Sequence, residues 1–364
     1  MLVFFAATLI AGAGRPLSAA PGGRDSIVVA ESWTIQSKIL SEPRKISVHL
    51  PDGYAASGAR YPVVYLLDGE QLLLPVSGLT TALAWSFKAP PMIVVAINNV
   101  SRARDFTVPW TAKTAAAPTE QRYLAQSGGA DKFLAFLKSE LVPAVESRYR
   151  AAGFRVLAGH SLGGLFALHA FASEPDLFRG VIAASPAAQW NGDGEVDRVN
   201  SMLVAGHDLA AHRLFVSVAE KEFDDSPRAI ARLGDFLRAS SPAGLQWELR
   251  TITGEDHGTA MVPAVYAGLE FMFADYRLPT AVFDQGLDST LAYYQRESRD
   301  YGFTMNPMEG DLFAMVQRAA AKGDTSAARA AYDHKAHSLS LVACCSQLRP
   351  YKRSAHSFLG GAVS

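Results

Sequence analysis

Residues 156–165 read Val156-Leu157-Ala158-Gly159-His160-Ser161-Leu162-Gly163-Gly164-Leu165. Three apolar residues lead into a G-x-S-x-G pentapeptide, and an apolar segment over 165–171 follows it. The first run predicts a strand and the last a helix, with the pentapeptide as the sharp turn between them. In such a turn the serine backbone is held in a sparsely populated conformation, and the flanking glycines leave room where a side chain would strike neighbouring backbone. The bare pentapeptide is a weak signal. Its position between a strand and a helix makes it the exposed-serine elbow of an α/β sheet, with helix-start amides beside the hydroxyl.

Working outward, further strands fall on both sides. Residues 46–50 alternate and close at Pro51-Asp52-Gly53, as expected of an antiparallel strand at one side of a sheet. The continuous apolar runs 61–67 and 92–97 read as strands buried on both faces, and 155–158, 180–184, 213–218 and 245–252 continue the series. Phe133, Phe136, Leu137, Leu141 and Val145 recur at helical spacing over 131–149. Strands alternating with helices predict a mainly parallel sheet with right-handed crossovers, hence an α/β-hydrolase fold. After Pro279 the pattern turns helical, with two helices around Lys322-Gly323-Asp324, a small C-terminal appendage.

A hydroxyl needs a base beside it, and the base an acid that fixes its tautomer. In this fold the order is serine, acid, histidine, with the histidine after the last strand. His257, in Gly254-Glu255-Asp256-His257-Gly258, is the best placed of nine histidines. His160 and His169 read as packing or hydrogen-bonding residues, and His207 and His212 as surface residues. Glu220, Glu222, Asp224 and Asp225 all crowd the turn after 213–218. Glu222 is favoured as the acid, with Asp224 the alternative and Glu220 behind it, and a Ser-His dyad stays open. An oxyanion requires two backbone amides. Leu162 would supply one and Gly69 or Glu70, after the strand 61–67, the other, although Asp68-Gly69 also reads as a tight turn.

The chain has 364 residues, 49% hydrophobic and 19% charged, enough for a full α/β core with residues left over. Lys and Arg number 34 against 35 Asp and Glu, so no net field favours nucleic acid. The two cysteines, Cys344 and Cys345, are adjacent and staple nothing distant. Residues 1–20, an apolar run ending in Ser18-Ala19-Ala20, read as a signal peptide without a basic start, which predicts an exported, periplasmic or secreted protein. The run is shorter than the ~20 residues of a membrane span, so no stable membrane insertion is expected. The expected organisation is signal 1–20, catalytic domain 24–278, helical appendage 279–340 and disordered tail 341–364. Residues 108–129, rich in Ala, Thr, Pro and Gly, read as a loop over the site.

With these residues placed, the chain resembles the esterase family of α/β-hydrolases that includes the siderophore trilactone esterases, esterase D and the mycolyltransferases. The stretches that carry the resemblance are 61–69 (Tyr-Pro-Val-Val-Tyr-Leu-Leu-Asp-Gly), 102–107 (Arg-Ala-Arg-Asp-Phe-Thr), 128–133 and 158–165, within residues 30–275 or so. It implies a serine esterase acting on a small-molecule carboxylic ester, with Ser161 and His257 in the nucleophile and base positions and no cofactor or metal. The acid falls in a Gly-x-x-Glu turn in many relatives, and Ala219 here replaces that glycine before Glu222. Arg104 and Asp105 fall at the expected site mouth, where Arg104 would meet a substrate oxygen or form an internal ion pair. Trp110 and Trp190 would line an acyl or aromatic pocket, or simply pack.

Hydrolysis through an acyl-enzyme is therefore the leading expectation. Acyl transfer to an alcohol uses the same residues, and an inactive binding module on the same fold is a third reading, against which Ser161 and His257 argue. The ester itself depends on loops whose paths are not written in the sequence.

Overall fold

The computed structural model describes residues 26–111, 124–222, 225–240 and 242–342, with side chains to 334. Residues 1–20, most of the loop 108–129, Asp224, Cys344, Cys345 and all but the first two residues of the tail lie outside them.

Eight strands form one sheet in the order β1-β2-β4-β3-β5-β6-β7-β8. They are β1 (Glu31–Ser37), β2 (Glu42–His49), β3 (Tyr61–Leu66), β4 (Ile93–Ile97), β5 (Ala151–His160), β6 (Gly180–Ala184), β7 (Arg213–Lys221) and β8 (Gln246–Asp256). β2 runs antiparallel to β1 and β4, and β4 through β8 are parallel. This is the expected α/β-hydrolase fold. β1 was not singled out by the sequence; it is a largely exposed edge whose Trp33 pairs with Ile46 and whose Trp33 indole donates to the Tyr149 hydroxyl (2.9 Å).

The continuous apolar runs work because each strand face meets its own helical layer. Val63, Tyr65, Leu67, Ile93, Val95 and Leu157 pack on one side, and Val64, Leu66, Val94, Ala96, Val156 and Ala158 on the other. That is the two-residue period of a strand buried on both faces. On the first side lie the segments Ala130–Phe136, Leu137–Leu141 and Val142–Arg148 and the post-elbow helix Leu162–Ser173. On the second lie Gly69–Trp85, Met261–Met272 and Leu287–Tyr301.

The long helix expected over 131–149 has a π turn at Leu137–Leu141. Phe133, Leu137, Leu141 and Val145, all buried, are spaced four apart, and a strict 3.6-residue helix would rotate that stripe off the core. The wider turn brings it back. His212, expected at the surface, is buried, and its backbone carbonyl accepts from Gln246 N–H where β7 and β8 begin.

The helices after Pro279 are Thr280–Phe283, Leu287–Tyr301, Glu309–Ala321 and Thr325–Val342, the last two forming the expected pair. Leu287–Tyr301 docks through Tyr293, Tyr294 and Tyr301. The Tyr301 ring meets Phe154 (5.0 Å between centroids) and Phe273, and its hydroxyl donates to the Met272 carbonyl (3.0 Å). No helix among the described residues is long and apolar enough to cross a membrane. Truncating a fully buried aromatic costs about 3–5 kcal/mol. Tyr301→Ala is therefore expected to lower unfolding stability in urea by that order, and a variant as stable as wild type would show that this helix only rests on the core.

Candidate functional site

The chain leaves β3 for β4 on one side of the sheet and later leaves β5 for β6 on the other. Open α/β sheets gather ligands where the strand order reverses in this way, outside the carboxyl ends of the strands. Asp68 and Ser161 stand at those two adjacent strand ends.

Ser161 has φ 59° and ψ −117°, a conformation that L residues rarely adopt. It is fixed from three directions: Ser161 N–H donates to the Ala184 carbonyl (3.0 Å), and the Ser161 carbonyl accepts from Leu165 N–H (2.9 Å) and Ala187 N–H (3.0 Å). A Cβ on Gly159 would sit 2.3 Å from the Gly163 carbonyl oxygen, so glycine is required there. The first helical hydrogen bond after the elbow starts at Leu165, which leaves the Leu162, Gly163 and Gly164 amides ahead of the intrahelical ladder.

Across the switch point, Asp68 also has positive φ, 55°, and opens the helix Gly69–Trp85. A Cβ on Gly69 would lie 2.7 Å from Ile97 N, which explains the glycine. Gln71 and Leu72 make the first bonds back to the Asp68 carbonyl, so the Gly69 and Glu70 amides precede the ladder. The Glu70 carboxylate is turned to solvent and accepts from the backbone and side-chain N–H groups of Asn99 (3.1 and 2.7 Å).

The β7–β8 register shifts after Ala219, so that Lys221 pairs with Asp256. One residue further on, Glu222 therefore stands opposite His257. Irregularities of this kind re-aim side chains at strand ends. Glu222 Oε2 is 2.7 Å from His257 Nδ1, and the Glu222 side chain is 1% exposed. Its other oxygen accepts from Ala219 N–H (3.2 Å). With Nδ1 donating to the carboxylate, a neutral His257 has Nε2 as its acceptor nitrogen. Glu220 instead accepts from Gly254 N–H, and Asp225 pairs with Arg228.

His160, beside the serine, ties the histidine turn to the elbow. Its Nε2 donates to the His257 carbonyl (2.7 Å), and the two rings are 4.7 Å apart. His169 lies in the post-elbow helix, buried between Glu195 and Asp131.

The Arg104 guanidinium does not face the elbow. It is held by Glu42 on β2 (2.5 and 3.1 Å) and by Asp105 (2.7 Å), and these carboxylates raise its pKa. Arg44 completes this buried network on Asp105 (2.6 Å). The arginine that reaches the elbow is Arg102, which bonds to Asp68 and to the His160 carbonyl. Sequence reasoning missed it because residues two apart on a short helix project to different sides, and nothing in the order of residues 102–105 says which side faces the site. Trp110 and Trp190 meet edge to face (4.8 Å between centroids), and the Trp190 indole donates to the Val108 carbonyl (3.3 Å). Through Ala187 and Trp190 the loop after β6 joins the elbow to the segment before residue 112.

The family model whose description is "Putative esterase" matches residues 37–260, more than half of the chain. The chain belongs to this esterase family. Ferri-bacillibactin esterase BesA of Bacillus subtilis is 28% identical over 241 residues, 58% of this esterase and 79% of that protein. Siderophore triacetylfusarinine C esterase of Aspergillus fumigatus is 33% identical over 189 residues, 48% of this chain and 56% of that one. The crystal structure of an IroE-like serine hydrolase from Shewanella oneidensis superposes with a TM-score of 0.72 at 26% identity, covering 85% of this chain and 99% of that one.

Burial and the neighbouring His257 lower the His160 pKa. A histidine whose folded pKa lies below its unfolded value, near 6.5, costs stability as pH falls through that unfolded value towards the folded one. Urea midpoints of this esterase are therefore expected to drop on acidification below about pH 6.5, and to drop less in His160→Gln. Equal slopes in the two proteins would contradict the buried, neutral, donating His160.

Proposed function

We propose that this esterase cleaves carboxylic esters through an acyl-enzyme on Ser161. His257 acts as general base and Glu222 holds it in the tautomer that accepts at Nε2. The observation that carries the reading is the buried 2.7 Å contact of Glu222 with His257 Nδ1, one hydrogen bond away from the elbow through His160. Ser161 Oγ attacks the ester carbonyl carbon as His257 Nε2 takes its proton. The resulting oxyanion is held by the Leu162 amide and by that of Gly69 or Glu70, donors fixed before reaction begins and therefore worth most to the transition state. Collapse breaks the bond to the alcohol oxygen, which leaves with the proton from His257. Water then repeats the sequence, freeing the acid and restoring Ser161.

A siderophore ester, the substrate class that the relatives' names print, is the one we favour, with a lactone as its expected form. The Trp110–Trp190 pair beside the elbow loop supports an aromatic contact for such a substrate. Arg104, committed to Glu42 and Asp105, is assigned to shaping the loop that carries Arg102. The apolar start at residues 1–20 supports action outside the cytoplasm.

Turnover of a p-nitrophenyl ester series and of a catecholate trilactone tests this. Ser161→Ala and His257→Ala are expected to lose about 10⁴-fold or more in kcat, and Glu222→Gln about 10²–10⁴-fold. A Ser161→Ala protein that keeps wild-type turnover would refute the nucleophile.

A further inference from the structure

The loop after β6 passes through three consecutive left-handed residues, Asn191 (φ 53°), Gly192 (φ 68°) and Asp193 (φ 71°), a region that asparagine, aspartate and glycine enter most readily. The helix Ser226–Ser240 fixes this turn. Arg228 meets both oxygens of the buried Asp193 carboxylate (2.7 Å each), Arg232 adds a bond of 3.3 Å, and the Ser226 hydroxyl donates to Gln189 Oε1 (2.6 Å). At the start of the loop, Ala187 N–H donates to the Ser161 carbonyl (3.0 Å), and Trp190 N–H donates to the Ala187 carbonyl (3.1 Å). The turn therefore stands in a fixed relation to the nucleophile, and the Asn191 side chain extends from it to the segment 107–111.

The Pro109 carbonyl and the Thr111 N–H belong to the two peptide groups on either side of Trp110. Asn191 Nδ2 donates to the first (2.7 Å), and Asn191 Oδ1 accepts from the second (2.9 Å). One side-chain amide thus brackets Trp110, whose own N–H donates to the Ser127 hydroxyl oxygen (2.9 Å) and whose ring meets Trp190 edge to face at 4.8 Å. Two bonds from one planar group set a direction as well as a distance. Pro109 and Thr111 are exposed, so without the amide their peptide groups would turn to water at little cost, and the Trp110 ring would turn with them. We propose that Asn191 is a specificity-determining positioning residue: it clamps both peptide groups of Trp110, holds that indole on Trp190 as a preset wall beside the elbow, and so favours esters of aromatic acids over those of small aliphatic acids. This rests on the acyl-enzyme reading and on the aromatic contact proposed above. A preset wall spares the cost of ordering the ring on binding. It serves ground state and transition state alike, so its loss belongs in KM rather than in kcat.

The test compares turnover of p-nitrophenyl benzoate with that of p-nitrophenyl acetate, and reads the far-ultraviolet circular dichroism, in which two indoles in fixed contact couple. The variants are Asn191→Gly, which removes the amide and tolerates positive φ, Asn191→Asp, which keeps the shape and the acceptor but not the donor, Trp110→Ala, the double variant Asn191→Gly/Trp110→Ala, and Ser161→Ala. Asn191→Gly and Trp110→Ala are each expected to raise the benzoate-to-acetate ratio of KM about tenfold, the scale of one aromatic contact, with kcat on benzoate within about threefold of wild type. Asn191→Asp is expected to raise the ratio at least about threefold, and it decides the matter if Asn191→Gly does not fold. The double variant is expected to match Trp110→Ala within about twofold, because the clamp then has no ring to hold, whereas a general loss of stability would add. The indole couplet is expected to fall to about half or less in Asn191→Gly. The inference is overturned by Asn191 variants whose KM ratio stays within about twofold of wild type, by an equal rise on both esters, by a double variant worse than Trp110→Ala, or by an undiminished couplet. If neither ester is turned over, the couplet alone decides. An active Ser161→Ala would sink the acyl-enzyme reading, whereas an inactive Ser161→Ala beside Asn191 variants that behave as wild type sinks this inference alone.

Discussion

Gly159 and Gly163 approach so closely that a single methyl group on the first would collide with the carbonyl of the second. This contact sets how sharply β5 turns into the helix Leu162–Ser173. The turn goes with the positive φ of Ser161, leaves the Leu162, Gly163 and Gly164 amides ahead of the helical ladder, and lets the Asp68 carboxylate lie against Gly163. The strain is balanced by bonds to Ser161 from β6 and from the loop after it, namely Ala184 and Ala187. A constrained backbone of this kind persists only where its surroundings over-determine it, and here sheet, helix and loop all do.

Around that elbow the protein buries charge in matched sets. Asp68 is met by Arg102, Asp105 by Arg44 and Arg104, and Asp193 by Arg228 and Arg232, while Glu222 faces His257. Leaving one member of a buried pair alone is costly, so these contacts tie loops from distant parts of the chain to the carboxyl end of the sheet. All three arginine-bound carboxylates lie in segments between strands. Ion pairs fix these carboxylates at the strand ends, whereas the strands beneath are ordered by the two apolar layers. Precision at the strand ends and stability in the sheet thus have different physical sources.

Much of this was readable from the sequence, because each strand buried on both faces leaves a continuous apolar run and the elbow leaves its glycines. The strand ends of β3, β5, β7 and β8 follow from those runs, and they bring Gly69, Ser161, Glu222 and His257 to one edge. Contacts between side chains that are remote in sequence were less accessible. Glu222 faces His257 because of a register shift after Ala219, which no local pattern announces, and Glu220, two residues earlier, is instead used on Gly254. Arg102 and Arg104 are chemically identical and only two residues apart in a four-residue helix, so only the tertiary positions of Asp68 and Glu42 separate their roles. The edge strand β1 escaped for the opposite reason: it is mostly exposed, and its pairing rather than its hydrophobicity defines it. His212 was misjudged because burial at a strand's start depends on the neighbouring strand, here through Gln246.

In the mechanism we propose, one serine held at the elbow, Ser161, is the group that becomes acylated. The most direct measurement is labelling of the purified protein with a fluorophosphonate probe, followed by peptide mass spectrometry to locate the adduct. One adduct per chain is expected, on Ser161, formed within minutes at neutral pH and absent after denaturation before labelling. An adduct on a different residue, or none on a folded protein, would contradict it.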